Sequence, residues 1–514
     1  MGFELVYNSL KAILHVFGPY YVSSATHDNN DTVDAPKCHP GTRVSFLTRL
    51  SNWAKDIESS VHVTWLHGPA GAGKSAIARS LAQSLHRERL LAGSFFFFRT
   101  DPRRNSEKQF VTTLAYQIAL SIPETKPYIA KAVQDDPTVC DRSLQTQFEK
   151  LIIQPLVQIT ASGSPMLIIV DGLDECIVQK EREDTLEVIF DALPRLHGHV
   201  KFLIVSRPEY DIQRSFDFVA TSIGQHINTI GLQGDLQAYE DVRIYLNDNF
   251  RRIKQTHPLQ EHFTPDWPSG DAIERLVEKS SGHFIYASTV VKYIENDFDE
   301  PRKRLDIVIN LRTTSCNPYA ELDALYLNIL SSSRADHTLL VNIFSLALLA
   351  DVSSIKLDEF WKWQRGIIMK SDRFVDSVLT LKPEKLQLAV LDLKSLVGVS
   401  SPQGYPIIKT IEFFHKSFSD FLCDPSRSKR FHASAANGSM LIANSCLRLL
   451  SDNTGLLERC FATTNFGSFI QLITFFFTDC WPCSVLILIR DEHVTCSSAF
   501  VVTIPLPISS CRPP

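Results

Sequence analysis

The sequence is poor in cysteine: eleven in 514 residues, an odd number. That density is too low for a disulfide scaffold, and an odd count leaves at least one thiol unpaired. Positive charge is not in excess either. Lys and Arg total 52 against 57 Asp and Glu, a net charge of −5, so bulk attraction to nucleic acid or an anionic membrane is not the working hypothesis. No repeat with a period of roughly 20–50 residues occurs, which excludes a solenoid within this chain. No serine hydrolase elbow is present. Glycine (21) and proline (26) are ordinary, as are 44% hydrophobic and 21% charged residues, which excludes whole-chain disorder, collagen and coiled coil. At about 100–200 residues per domain the length suggests three domains.

Targeting signals are weak. Gly2 is followed by Val6 where a myristoylation site needs Ser or Thr. The short apolar run 12–18, flanked by Lys11 and interrupted by His15, reads as an amphipathic helix rather than a signal peptide. The run 466–489 is long enough to span a bilayer, but Asp479 and Pro482 lie within it, and a central Asp costs about 2.5–3.5 kcal/mol on insertion scales. Membrane insertion is therefore not expected. Residues 451–514 contain no lysine and hold Cys460, Cys480, Cys483, Cys496 and Cys511. The Cys480–Cys483 pair lacks a thioredoxin context.

Residues 23–37 are polar and read as a linker. Strands are expected at 61–66, 93–98, 165–171, 200–205 and 226–232, separated by helically spaced segments such as Ile77, Leu81 and Leu85. Strands alternating with helices argue for a parallel sheet with helices on both faces. Beyond about 235 the pattern turns helical, over 235–256, 269–297 and 319–331. Region 335–450 mixes helices with one short strand at 407–414.

The sharpest motif is Gly68-Pro69-Ala70-Gly71-Ala72-Gly73-Lys74-Ser75, followed by Ala76. It lies between a strand and a helix, as a phosphate-binding loop must. Gly71 and Gly73 allow positive φ, Ala70 and Ala72 add little bulk, and the backbone N–H groups can line an anion nest. Lys74 would bridge β- and γ-phosphates, and the Ser75 hydroxyl would ligate Mg²⁺. The apolar run Leu167–Val170 then delivers Asp171 to the C-terminal edge of the sheet, where ligands bind in open α/β folds. Asp171 is the second expected Mg²⁺ ligand. Asp174 and Glu175 add two carboxylates, either of which could polarise a water, with Glu175 favoured. The strand 200–205 ends in Ser206-Arg207. If it lies between the two phosphate motifs, Arg207 faces the γ-phosphate.

GPAGAGKS, LIIVDGLDE and FLIVSRPE together resemble a NACHT-type P-loop NTPase of the STAND class, and more closely the fungal NLR-like proteins with a nephrocystin-3-like core. APKCHPGTR (35–43), FFFFRTDPRRNS (95–106), SGHFIYASTVVKYI (281–294) and IEFFHKSFSDFLCDPSRS (411–428) carry the likeness further, over about 35–450. The resemblance implies an α/β NTPase domain at 37–232, a helical domain at 233–310 and a winged-helix-like domain at 311–450. Residues 1–36 are then an extension and linker, and 451–514 an irregular tail. That tail reads as a replaced C-terminus, of the kind an imperfect gene model produces. The resemblance also implies ATP or ADP with Mg²⁺, His415 against the diphosphate, and Thr42 and Arg43 near the adenine. Phe284 stands where relatives carry a proline near the base, and either stacks on adenine or joins the core. The implied role is a slow NTPase switch in cytoplasmic self/non-self recognition or cell-death signalling. Its implied partners are effector or sensor proteins and copies of itself, without nucleic acid. A conventional ATPase or kinase, and a truncated relative acting as an interaction module, are the alternatives.

Overall fold

In the computed structural model the residues described are 16–28, 37–99, 101–159, 165–196, 199–223, 227–232, 235, 237–295, 299–312, 319–350, 369–382, 385–400, 409–451, 484–488 and 501–504. Most of the expected N-terminal helix, before residue 16, and the Cys480–Cys483 pair lie outside them. So does the apolar run 466–489, apart from its strand Ser484–Leu488, which pairs antiparallel with Val501–Ile504. Among the described residues no helix is long and apolar enough to cross a membrane.

Five parallel strands form the first unit: β1 (Val63–His67), β2 (Leu91–Phe96), β3 (Met166–Asp171), β4 (Val200–Ser206) and β5 (Ile227–Gly231), in the order β2-β3-β4-β1-β5. All five lie within a few residues of their expected places; β1 to β4 are almost wholly buried, and strands covered on both faces read as largely apolar runs. Leu167, Ile169, Leu203 and Val205 point into one layer. Helices α1 (Val44–Lys55) and α2 (Lys74–Arg87) cover it through Leu50, Ile77, Leu81 and Leu85. Ile168, Val170, Phe202 and Ile204 point the other way, under α3 (Phe110–Ser121), α4 (Lys126–Asp135), α5 (Gln179–Leu196) and α6 (Tyr210–Ile223). β4 pairs with both β1 and β3, so the end of β4 stands between the two phosphate motifs.

The outer edge of β2 is closed by side chains. The Gln117 amide accepts from Ser94 N–H at 3.0 Å and donates to the Ser94 carbonyl at 2.8 Å. Arg104 Nε donates to the Phe96 carbonyl at 2.9 Å. The segment expected as a linker docks here in part: Ala25 is buried in the same core as Phe17 and Val22 just before it, and His27 N–H donates to Ser94 Oγ at 3.2 Å.

A second unit is helical: α7 (Gln237–Thr256), α8 (Gly270–Ser280), α9 (Phe284–Ile294) and α10 (Pro301–Asn310). The single helix expected over 269–297 is two, because Ser281 and Gly282 take φ of 48° and 77° and turn the chain between them. Further on come α11 (Ala320–Ser332), α12 (His337–Ala350), α13 (Asp372–Leu379) and α14 (Lys385–Leu391). The antiparallel ribbon β6 (Val397–Ser400) and β7 (Thr410–Phe413) leads into α15 (Lys416–Cys423), and α16 (Ala435–Ser451) follows. One apolar core runs from Val242 to Ile442 through all of these elements, so they carry α15 as one packed body.

α16 crosses α12 at Gly438, where an added Cβ would sit 2.4 Å from the Ser345 carbonyl oxygen and 2.9 Å from its carbon. Gly438→Ala would gain about 1 kcal/mol of helix propensity, but overpacking against backbone costs about 1–3 kcal/mol. A net destabilisation is expected, measured as a lower urea midpoint with an unchanged slope.

Candidate functional site

The loop between β1 and α2 turns through two left-handed glycines, Gly71 (φ 75°) and Gly73 (φ 89°). Gly73 is the N-cap of α2 and offers no side chain to the first-turn N–H groups, which leaves these donors to face a ligand. Gly71 is required twice over, since a Cβ there would lie 2.1 Å from Ile285 Cγ2. Gly68 packs against Leu232, just past β5. Ala72 is buried, and Ala76 sits in the first turn of α2. Lys74 Nζ lies across the loop and donates to the Gly68 and Pro69 carbonyls, each at 2.9 Å. Burial lowers its pKa to about 8, so an anion in the loop would be a welcome partner.

Asp171 ends β3 beside this loop, 4% exposed, with one carboxylate oxygen lacking any hydrogen-bond partner. Burial raises its pKa to about 6, opposed by a hydrogen bond from the Ser75 hydroxyl and by the charge of Arg79. Arg79 itself is buried over the Phe96 ring, 4.0 Å from its centroid. Among the described residues no group of three or more His, Cys, Asp or Glu could hold a metal alone. One hydroxyl and one carboxylate with a free oxygen suit Mg²⁺, which keeps water and takes phosphate oxygens. Ser75 and Asp171 therefore fit it.

Gly172 (φ 72°) follows, with a Cβ position only 3.0 Å from the Phe97 carbonyl, and turns the chain so that Asp174 and Glu175 diverge. Glu175 Oε2 accepts from the Arg99 N–H at 3.1 Å, and burial raises its pKa. The Asp174 side chain is 4% exposed, accepts from Arg207 N–H at 3.0 Å and from Lys416 Nζ at 3.1 Å, and lies 3.4 Å from Arg207 Nε as an ion pair. Burial pushes its carboxyl up, but Lys416, Lys74 and Arg207 together hold it below the usual range. Arg207 also donates to Asp420 Oδ2 at 2.9 Å.

His415 caps α15. Its Nδ1 accepts from Ser417 N–H at 3.0 Å and lies 2.7 Å from Ser417 Oγ, which leaves the proton of the neutral ring on Nε2. Burial, then Arg207 and Lys74, lower its pKa to about 3. An imidazolium, the stronger donor for a phosphate, is therefore not the form present at neutral pH.

Thr42 and Arg43 are buried but not turned to a ligand. The Thr42 hydroxyl donates to the His39 carbonyl at 2.7 Å. Arg43 donates to the Ala72 carbonyl at 2.9 Å and to Asp235 at 2.7 Å, while its backbone N–H donates to Asp241 at 3.1 Å. Its guanidinium lies 5.1 Å from the Phe284 ring centroid. Phe284 packs between this cation and Tyr245, against the second core. A cavity of about 290 Å³ opens beside the loop, lined by Pro69, Ala72, Asp235, Tyr239, His283 and Tyr319 among others. His283 Nδ1 is buried there without a partner.

Sequence reasoning missed Lys416, Asp420, Asp235 and Asp241. Lys416 reads as a scattered surface cation, although its i, i+4 spacing with Asp420 on an otherwise apolar helix was a usable signal.

Sheet order, loop and acidic strand end make the first unit a P-loop NTPase fold. The family model described as Nephrocystin 3, N-terminal, matches residues 41–207, less than half of the chain. Among solved structures the chain is similar to the Walker-type ATPase PABY2304 of Pyrococcus abyssi (14% identity, 77% of this chain and 98% of that one, TM-score 0.36). It is also similar to Cdc6p of Pyrobaculum aerophilum (12%, 81% and 98%, 0.35) and to the ORC2 protein of Aeropyrum pernix (12%, 83% and 98%, 0.33). These overlaps are loose. No curated protein matches the chain.

Removing the Arg43 guanidinium leaves Asp235 and Asp241 facing each other without their cation. Arg43→Met is expected to destabilise the protein by about 3–5 kcal/mol, the usual cost of stranding one side of a buried pair, as read by urea unfolding.

Proposed function

We propose that the chain is an ATP- and ADP-binding P-loop NTPase that works as a conformational switch, with slow hydrolysis. The observation that carries this reading is that two later parts of the chain hold the phosphate-binding edge at once. Ile285 N–H at the start of α9 donates to the Gly71 carbonyl at 3.3 Å, and α15 brings His415, Lys416 and Asp420 to Asp174 and Arg207. A roof made of the chain itself suits a switch better than a transferase, whose second substrate must reach the same edge.

In this reading the N–H groups of Gly71 to Ala76 cradle the phosphates, and Lys74 turns from the Gly68 and Pro69 carbonyls to the β- and γ-phosphates. Ser75 and Asp171 would hold Mg²⁺, which neutralises phosphate charge when bound. Glu175 orients the attacking water, since Asp174 is committed to Lys416 and Arg207. Arg207 meets the γ-phosphate, and His415 donates its Nε2–H to the phosphate end. The cavity beside Pro69 and Ala72 takes the base, with His283 and not Thr42 or Arg43 at its wall.

The motif resemblance and the family match support placement among NACHT-type, NLR-like NTPases of the STAND class. α11–α15 with the β6–β7 ribbon would be the winged-helix-like domain. In that setting ATP for ADP exchange lifts α15, and the partners are further copies of the chain and effector or sensor proteins in the cytoplasm. The output would be self/non-self recognition or cell-death signalling.

Lys74→Ala should abolish ADP and ATP binding in equilibrium dialysis while thermal unfolding stays cooperative; affinity equal to wild type would falsify the phosphate-loop assignment. A pH effect follows from His415, which Arg207, Lys74, Lys416 and Asp420 face. Its pKa is about 3 in the closed form against 6.5 when freed, so the opened form takes up the proton between those values. Closure is therefore complete above about pH 6.5 and weakens as pH falls below it. In the nucleotide-free protein, hydrogen exchange of the α15 amides, corrected for its intrinsic pH dependence, should be faster at acidic than at neutral pH in wild type, and His415→Asn should shrink that difference. Equal pH dependence in both would remove His415 from the closure.

A further inference from the structure

Four charged side chains alternate across the junction between the NTPase unit and α15: Lys416, Asp174, Arg207 and Asp420. Lys416 Nζ is 3.1 Å from Asp174 Oδ2, Asp174 Oδ2 is 3.4 Å from Arg207 Nε, and Arg207 Nη1 is 2.9 Å from Asp420 Oδ2. The outer two lie one turn apart on α15, and the inner two belong to the ends of β3 and β4. Side-chain exposure is 12% at Lys416 and 4% at Asp174, then 21% at Arg207 and 32% at Asp420. Arg207 is thus neutralised from both sides, once within its own unit and once by α15.

We propose that Asp420 stands in for the terminal phosphate of a nucleoside triphosphate and so sets the preference of this site for a diphosphate. This rests on nucleotide binding at the phosphate loop. With Arg207 as the donor to the γ-phosphate, a diphosphate would leave the Arg207–Asp420 pair intact. A triphosphate places a third anionic group at the same guanidinium, where it competes with Asp420 for donors and is repelled by its charge. The triphosphate gains Arg207 only when Asp420, and α15 with it, moves away. Lys416 then leaves Asp174, which ties opening of the roof to a change of charge beside Glu175. A ligand shifts such an equilibrium only by its differential affinity for the two arrangements, and the Asp420 carboxylate supplies that difference.

The test is equilibrium dialysis of the full chain with ADP and with ATP, each with Mg²⁺. Asp420→Asn, which keeps shape and removes charge, is expected to raise ATP affinity about tenfold, equivalent to about 1.4 kcal/mol, and to change ADP affinity by less than about threefold. Asp420→Glu, which keeps the charge, should hold the ATP-to-ADP ratio near that of wild type. Equal changes for both nucleotides, or no change in either, would overturn the assignment. A ratio that shifts as far in Asp420→Glu as in Asp420→Asn would overturn it too, because shape and not charge would then be the cause. Should Asp420→Asn fail to fold, Asp420→Ser is read by the same ratio. Absence of ADP binding in wild type as well would instead remove the phosphate-loop reading, so the two failures are told apart.

Discussion

One buried guanidinium joins the parts of this molecule that have to meet. Arg43 enters the first helix at a left-handed φ of 55° and reaches the Ala72 carbonyl in the phosphate loop and Asp235 beyond β5, while its backbone holds Asp241 on α7. A charge this deep is tolerable only because carboxylates and a carbonyl answer it and the Phe284 ring lies against its face. The loop backbone, the end of the sheet and the helical unit are thereby registered to one another before any nucleotide is considered. Ile285 can then rest on Gly71, and the common core from Val242 to Ile442 sets α15 over the ends of β3 and β4.

Much of the NTPase unit was legible in the sequence. Buried parallel strands have no polar face, so their apolar runs stand out, and the turn residues Gly71, Gly73 and Gly172 mark places where only positive φ serves. The one strand placement the motifs indicated was that of β4, and it does lie between β1 and β3. The helical units were less legible. Ser281 and Gly282 divide a stretch whose apolar spacing continues through the break. The docking of Ala25 and His27 against the sheet edge left no sign in a segment that is otherwise polar.

The site was legible in its backbone and less so in its charges. Motifs identify Lys74, Ser75, Asp171 and Arg207 because each has a fixed place relative to a strand end. Nothing local shows that Thr42 binds His39, or that Arg43 faces two carboxylates from another unit. Nor could spacing show that His415 is neutral: its state depends on burial and on Arg207 and Lys74, cations distant in sequence. Long-range electrostatics is a property of the assembled fold, and Lys416 is the clearest case, an ordinary surface residue by composition and a partly covered partner of Asp174 in space.

The closed edge of β2 bears on whether another strand could add to the sheet. With Ser94 paired to the Gln117 amide and the Phe96 carbonyl to Arg104, those strand groups are not open to an incoming chain, and sheet-to-sheet growth is blocked along that stretch. What this stretch offers outward is the side chains of packed helices and loops, a surface of shape and charge in place of a row of open backbone groups.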